Sequence, residues 1–305
     1  MKHFVEYITK LALFFLLLFV VDRIAGKAFS YMVANAKGGD NGRNNYICNQ
    51  TNEDVLVFGS SRAIHHYNPR IISDSLGLSC YNCGQDGNGS ILNYGRYQLI
   101  LQRYSPKLVI YDIMPDYDLL EGEDNHRFLG WLRAYYDRPG IKEIFEDVDV
   151  TEKYKIWCKM YRYNTKCIQI ASDYVHPLTD EGYQGFRPLV NEMDTMKVSL
   201  NVSYKEPVFD SLKIAYLNKF IKACGDGTKL IVVYSPVYRE INPKVLAPIE
   251  QICHQEGILF LDYSSSTEFF HNKDLYSDGN HLNAKGADRF TRDLMTKIKN
   301  KYSEN

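Results

Sequence analysis

Along the chain, apolar and polar positions fall into one uninterrupted apolar block followed by a recurring alternation of short apolar runs and amphipathic stretches. Residues 11–21, LALFFLLLFVV, form the block, with Lys2 and Lys10 before it. A bilayer span needs about 20 residues, a length the run reaches if Lys10 and Arg23 snorkel toward the interfaces. Asp22 and Arg23 follow at once, and the nearest small-x-small site, Ala34-x-Ala36, lies too far downstream for signal cleavage. Residues 1–36 are therefore read as an uncleaved signal anchor rather than a removed signal peptide. Arg23, Lys27 and Lys37 beyond the run leave little charge bias for the side the body faces. Residues 37–53, opening with the Gly/Asn-rich KGGDNGRNNY, read as a linker.

From residue 54 the period changes. DVLVFGSSR (54–62) is a buried strand running into a tight turn, and 62–76 has helical spacing restarted by Pro69. LSCYN (78–82) is a second strand, followed by the loop GQDGNGS (84–90) and an amphipathic helix over 91–104. KLVIYDI (107–113), KLIVVYS (229–235) and ILFLDY (258–263) are further strands. Helices are expected at about 209–224, 244–256 and 284–300, the first two closed by Gly225 and Gly257. Strands that are apolar throughout and alternate with helices predict an α/β three-layer sandwich with about five parallel strands. In such sheets the reactive groups collect at the carboxyl ends of the strands. Residues 116–205 break the alternation. They are polar, Tyr-rich and helix-leaning, and contain both Trp131 and Trp157. They read as an insertion in the domain 54–305, either a helical decoration or a lid in which Trp131, Trp157, Tyr183 and Phe186 wall a substrate groove.

Composition narrows the chemistry. The formal net charge is −1, so no basic field calls for nucleic acid. Tyrosine contributes 24 residues, which suits a surface gripping amphipathic sugar rings, although an aromatic core explains the count at least as well. The seven cysteines cannot all pair, and the C-x-x-C of Cys80 and Cys83 has no second pair at zinc spacing. Most read as small buried hydrophobes, with Cys158–Cys167 the one pairing to test. Asp116 and Asp118 read as loop caps rather than metal ligands, so no metal or cofactor is expected. Arg62 reads as a helix-surface ion pair, and at least one of His65 and His66 as solvated.

Two segments far apart in sequence fall where a parallel sheet would bring them together: Gly59-Ser60-Ser61-Arg62 after the first strand, and Ser277-Asp278-Gly279-Asn280-His281-Leu282-Asn283 before the last helix. A serine hydroxyl needs a base within hydrogen-bond reach, and the base needs an orienting acceptor. Asp278 and His281 are three apart, so one tight turn can supply both. Taken alone, Ser-Ser is also an ordinary helix cap, and Asp-x-x-His a cap beside a surface imidazole.

With these residues in view, the chain resembles the SGNH (GDSL-like) hydrolases. GSSR is similar to the first block of that family, with Ser61 at the nucleophile position and Ser60 in place of the usual Asp. D-G-N-H-L-N is similar to its last block. GQDGNGS resembles its second block, whose glycine donates an oxyanion N–H, here Gly87 or, as a second choice, Gly84. The third block departs from the pattern: Met114-Pro115-Asp116-Tyr117-Asp118 has no Asn, and Asn88 would have to substitute. This set resembles the membrane-anchored envelope acyl-transfer branch, the DltD-like and alginate-acetylation proteins. The resemblance implies a flavodoxin-like fold and a triad of Ser61, His281 and Asp278, with an oxyanion hole from Ser61, Gly87 and Asn88. It also implies O-acyl transfer or hydrolysis, of acetyl first of all, on a cell-envelope or extracellular glycan. The setting would be a single-pass bacterial inner-membrane protein with a periplasmic body, and a membrane acyl-donor protein as a partner. The competing expectation is a degenerate scaffold that binds a glycan or partner without turnover. The anchor reading predicts that N-terminal sequencing of the mature protein begins before residue 11, whereas a start beyond residue 25 would refute it.

Overall fold

The computed structural model describes residues 1–164, 166–176, 182–194, 205–225 and 227–303. The chain divides into two compact units, Met1–Tyr46 with Leu129–Thr179, and Ile47–Phe128 with Asp180–Asn305. The elements in chain order are α1 (Lys2–Ala34), α2 (Gly39–Asn49), β1 (Val55–Gly59), α3 (Ser61–His66), α4 (Pro69–Leu76), β2 (Cys80–Asn82), α5 (Ser90–Leu101), β3 (Leu108–Asp112), α6 (Pro115–Asp118), α7 (Lys142–Val148), α8 (Glu152–Lys155), α9 (Cys167–Val175), α10 (Ser211–Cys224), β4 (Lys229–Tyr234), α11 (Ala247–Gln255), β5 (Leu259–Asp262) and α12 (Ala284–Ser303).

The second unit is the α/β body. Its five strands are parallel, in the order β2-β1-β3-β4-β5, with helices on both sides. In β1 and β3 every residue is buried, which is why both read as unbroken apolar runs. The period of two divides each strand between faces. Val55, Val57, Leu108, Ile110, Ile231 and Val233 face one side, packed with Ala63, Tyr67, Ile72, Phe290, Leu294 and Ile298 from the α3, α4 and α12 side. On the other side Phe58 and Tyr111 meet Tyr97 of α5 and Phe220 of α10, with ring centroids 4.9–5.8 Å apart. Because β2 and β3 both neighbour β1, the connections reverse direction at β1 and β3, and a crevice opens at their carboxyl ends.

In the first unit, α1 is long and apolar enough to cross a membrane, and its most apolar window is wholly exposed. The helix outlasts the apolar block by more than a dozen residues. There Val33 joins Tyr163 and Ile170 in a small core, and Phe29 stacks on Tyr163 at 6.0 Å. The expected linker at 37–53 is corrected: residues 39–49 are helical, and their asparagines are bonded, not solvated. Asn41 donates through its backbone and its amide to Asp173 (3.1 and 2.7 Å), Asn44 to the Trp131 carbonyl (3.1 Å) and Asn45 to the Ala34 carbonyl (2.9 Å). The insertion is divided as well. Residues 129–176 belong with α1, while 116–128 and 182–194 belong with the sheet, where Leu120 bridges Phe209. All seven cysteines are free, five of them buried. Cys158 donates to Asp22 and Cys167 to the Tyr163 carbonyl, so the pairing singled out for test is not formed.

Phe220 has no exposed surface and touches three aromatic rings, so Phe220→Ala leaves a cavity that its neighbours cannot fill. Its unfolding free energy in urea should fall by about 3–5 kcal/mol.

Candidate active site

The site begins at the turn out of β1. Gly59 has φ 141°, and a Cβ there would lie 2.6 Å from the Asp112 carbonyl oxygen and 2.9 Å from Ala63 Cβ. Only glycine lets β1 run past the end of β3 straight into α3. Ser60 occupies the N-cap position without a side-chain cap bond, and its buried hydroxyl has no partner among the described residues. Ser61 opens the helix and is part-exposed.

The next residue corrects an expectation. Arg62 is fully buried, not a surface residue. Its Nε lies 3.5 Å from Asp112 Oδ2, its two terminal nitrogens donate to the Ile113 and Ser235 carbonyls, and its guanidinium stacks 4.2 Å from the Tyr234 ring centroid. Burial works against the guanidinium charge, but Asp112 outweighs it, so Arg62 holds its proton more tightly than usual. Asp112 also accepts from the Tyr67 hydroxyl (2.8 Å) and the Ser235 N–H (3.0 Å). A charged residue ending the apolar strand KLVIYDI was the one signal in the sequence for this cluster.

Of the next two histidines, one is part-exposed and the other fully buried. His65 points one ring nitrogen at the Arg187 carbonyl (2.6 Å) and the other at Asp86 (3.2 Å). His66 is fully buried, with Nδ1 3.0 Å from Ser235 Oγ, while Nε2 accepts the Leu282 N–H at 2.9 Å. Accepting that N–H requires a neutral ring with its proton on Nδ1. Burial first, then the nearby His281, Arg62 and His65, hold its pKa well below the ordinary value.

Leu282 belongs to the second segment. Tyr276 and Leu282 form an antiparallel bridge, and the Ser277 N–H donates to the His281 carbonyl at 2.8 Å, so residues 277–281 make one tight loop. Asn283 accepts the Gly286 N–H at 2.9 Å, capping α12. Asp278 Oδ1 accepts the N–H groups of Asn280 (2.7 Å) and His281 (3.0 Å), and its two oxygens lie 3.0 and 2.9 Å from His281 Nδ1. Partial burial raises the carboxyl pKa, but the His281 contact and these N–H groups outweigh it, and Asp278 stays below the usual carboxylate range. A carboxylate only accepts, so Nδ1 carries the proton and Nε2 is left to accept. His281 Nε2 stands 2.8 Å from Ser61 Oγ. The structure thus brings Ser61, His281 and Asp278 into one hydrogen-bonded line.

Among the expected oxyanion donors, Gly84 is committed, since its N–H donates to Asn82 Oδ1 at 3.0 Å. A Cβ on Gly84 would lie 2.5 Å from the Ile64 nitrogen, which explains a glycine where this loop crosses α3. Gly87 has φ 62°, and its N–H has no acceptor among the described residues. Asn88 spends one Nδ2 hydrogen on the Asp86 carbonyl at 2.8 Å and its N–H on the Gln85 carbonyl at 3.2 Å. In the third segment Asp118 is a buried cap, accepting from the Met114 N–H (2.7 Å) and the Tyr111 hydroxyl (2.9 Å), with burial pushing its carboxyl up to about 7.

The four expected groove residues divide between the two units. Tyr183 and Phe186 close a two-residue turn in the sheet unit through Gln184 and Gly185, both with positive φ. Phe186 is core, 4% exposed among Tyr67, Ile72 and their neighbours, so it offers no surface to a substrate. Tyr183 is 40% exposed and lies under the Arg70 guanidinium. Trp131 and Trp157 belong to the other unit, the first beneath Lys166 and the second against Phe19 of α1. A cavity of about 290 Å³ does open in the sheet unit, lined by Arg62, Met114, Tyr234, Arg239, Asn242 and Asn280. Sequence reading did not find it.

No family model matches the chain, and no curated protein does. A solved structure from Streptococcus pneumonia, provisionally described as a platelet activating factor, aligns with 95% of this chain and 98% of its own at 11% identity, with a TM-score of 0.38. A likeness that slight carries no argument about chemistry.

Removing one partner of a buried ion pair leaves the other charge unpaired. Arg62→Ala should therefore cost about 3–5 kcal/mol in urea unfolding, and the double variant Arg62→Met/Asp112→Asn should recover part of it.

Proposed function

We infer that the chain is a serine-dependent acyl-transfer enzyme of the SGNH type, an O-acyl esterase or acyltransferase. The observation that carries this reading is the line Asp278–His281–Ser61, with contacts of 2.9 and 2.8 Å and the tautomer fixed by the carboxylate. As the Ser61 oxygen attacks an acyl carbon, its proton passes to His281 Nε2. Asp278 holds the resulting imidazolium. The Ser61 and Gly87 N–H groups are assigned to the oxyanion. His281 then gives its proton to the departing alcohol, leaving an ester on Ser61. Attack by water or by a sugar hydroxyl, with His281 again as base, releases the acyl group. The cavity beside Asn280 is the assigned place for the acyl chain or the acceptor.

The finer assignment rests on the resemblance in the first and last blocks. It is removal or transfer of an O-acyl group, acetyl first, on a cell-envelope or extracellular glycan. The enzyme would be held by α1 at the inner membrane with its body in the periplasm and would work with a membrane acyl donor. One observation favours a second reading, a glycan- or partner-binding scaffold: the third segment, Met114–Asp118, has no Asn to donate to an oxyanion.

A fluorophosphonate probe separates the two. The enzyme reading predicts an adduct on Ser61, located by mass spectrometry. Ser61→Ala and His281→Ala should each lower ester hydrolysis by roughly 10⁴-fold or more, with the double variant no worse than either single one. Asp278→Asn should lose as much or less, and Ser60→Ala should keep most of the activity. A folded protein with no adduct and no turnover would transfer the case to the binding scaffold.

A further inference from the structure

The segment 149–160 of the first unit leaves three large apolar side chains outside while it buries a carboxylate. Val150, Tyr154 and Trp157 recur at i, i+4 and i+7, the spacing of a buried stripe, yet they are 66%, 71% and 66% exposed. Ile156, 2% exposed, turns inward, and so does Glu152, fully buried, where it accepts from Lys155 Nζ (2.9 Å) and the Tyr161 hydroxyl (2.9 Å). Water gives no reason to exchange a carboxylate for three large apolar side chains.

The neighbouring contacts give one. Trp157 lies 5.8 Å from the ring of Phe19, two positions before the end of the apolar block of α1. The Arg23 guanidinium sits 4.7 Å from both rings. Asp22 accepts the N–H groups of Lys159 (3.0 Å) and Met160 (2.8 Å) and the thiol of Cys158 (3.0 Å). Residues 157–160 are thus fastened to the turn of α1 where apolar sequence gives way to charge. At 1.5 Å per residue, Phe19 lies about 3 Å from the end of the block.

We propose that Val150, Tyr154 and Trp157 enter the headgroup region of the same bilayer that α1 crosses, forming a second membrane contact beside the anchor. A Trp at the level of a snorkelling Arg fits an interfacial belt, where the ring is half in lipid and its N–H stays wet. Lys153, over the Tyr154 ring at 5.3 Å, and Lys159 place cations among the apolar groups, which suits anionic headgroups. The proposal rests on α1 being a membrane anchor.

Tryptophan quenching tests it, because the chain has only two tryptophans. The full-length protein is reconstituted in vesicles of phosphatidylcholine and phosphatidylglycerol, with and without phosphatidylcholine brominated near the carbonyl end of its chains. Trp131→Phe leaves Trp157 as sole reporter, and Trp131→Phe/Trp157→Phe/Phe14→Trp places one inside the apolar block. The proposal expects Trp157 to lose most of its emission in the brominated vesicles and the reporter at position 14 to be quenched as well. If Trp157 keeps its emission while position 14 is quenched, the second contact is refuted and the anchor stands. If neither is quenched, both fail. Should Trp131→Phe not fold, the quenchable emission that Trp157→Phe removes from the otherwise native chain gives the same reading.

Discussion

A guanidinium with no access to water is the constraint around which the active end of the sheet is organised. Arg62 is enclosed by the Asp112 carboxylate, two backbone carbonyls and the Tyr234 ring, so its position is fixed by the ends of β3 and β4 together. α3 has six residues, too few to hold a helical phase by itself. Successive residues on a helix are turned by about 100°. The burial of Arg62 therefore sets where its neighbour Ser61 points. A buried ion pair need not be more stable than apolar residues of the same volume. What it supplies here is direction: an Arg in any other phase would be an unpaired charge in the core.

The opposite wall is held with the same economy of options. The 277–281 loop spends the Asp278 oxygens on its own N–H groups and on the imidazole, and the Gly279 carbonyl accepts the Tyr238 N–H at 3.2 Å. Serine and imidazole come from opposite ends of the chain, yet few torsions separate either from a fixed strand or helix. Such preorganisation is what a proton shuttle requires.

The parallel sheet was legible because burial on both faces leaves a distinctive trace, runs such as VLVF and LVIY with no polar interruption. The pairing of Asp278 with His281 was legible because a spacing of three within one loop is a local property. Polar residues whose partners lie far along the chain were not. Arg62 and His66 meet Ser235, 173 and 169 residues away, and nothing in SSRAIHH marks them as buried. The asparagines of α2 misled for the same reason. Gly and Asn signal a linker when their amides meet water, but Asn41 bonds to Asp173, 132 residues on. Phe186 could be read as rim or core, and only the packed structure decides.

The neutral ring of His66 carries a consequence for acid conditions. Its Nε2 accepts the Leu282 N–H, so a proton there would remove the bond next to His281. In the unfolded chain a histidine takes up a proton near its ordinary value of 6.5, while in the fold this one resists to a much lower pH. The stability that His66 contributes is thus complete above that value and is withdrawn as the medium acidifies. The seam between α3 and the 277–282 loop is where acid has thermodynamic leverage on this molecule, and it is also where His281 meets Ser61.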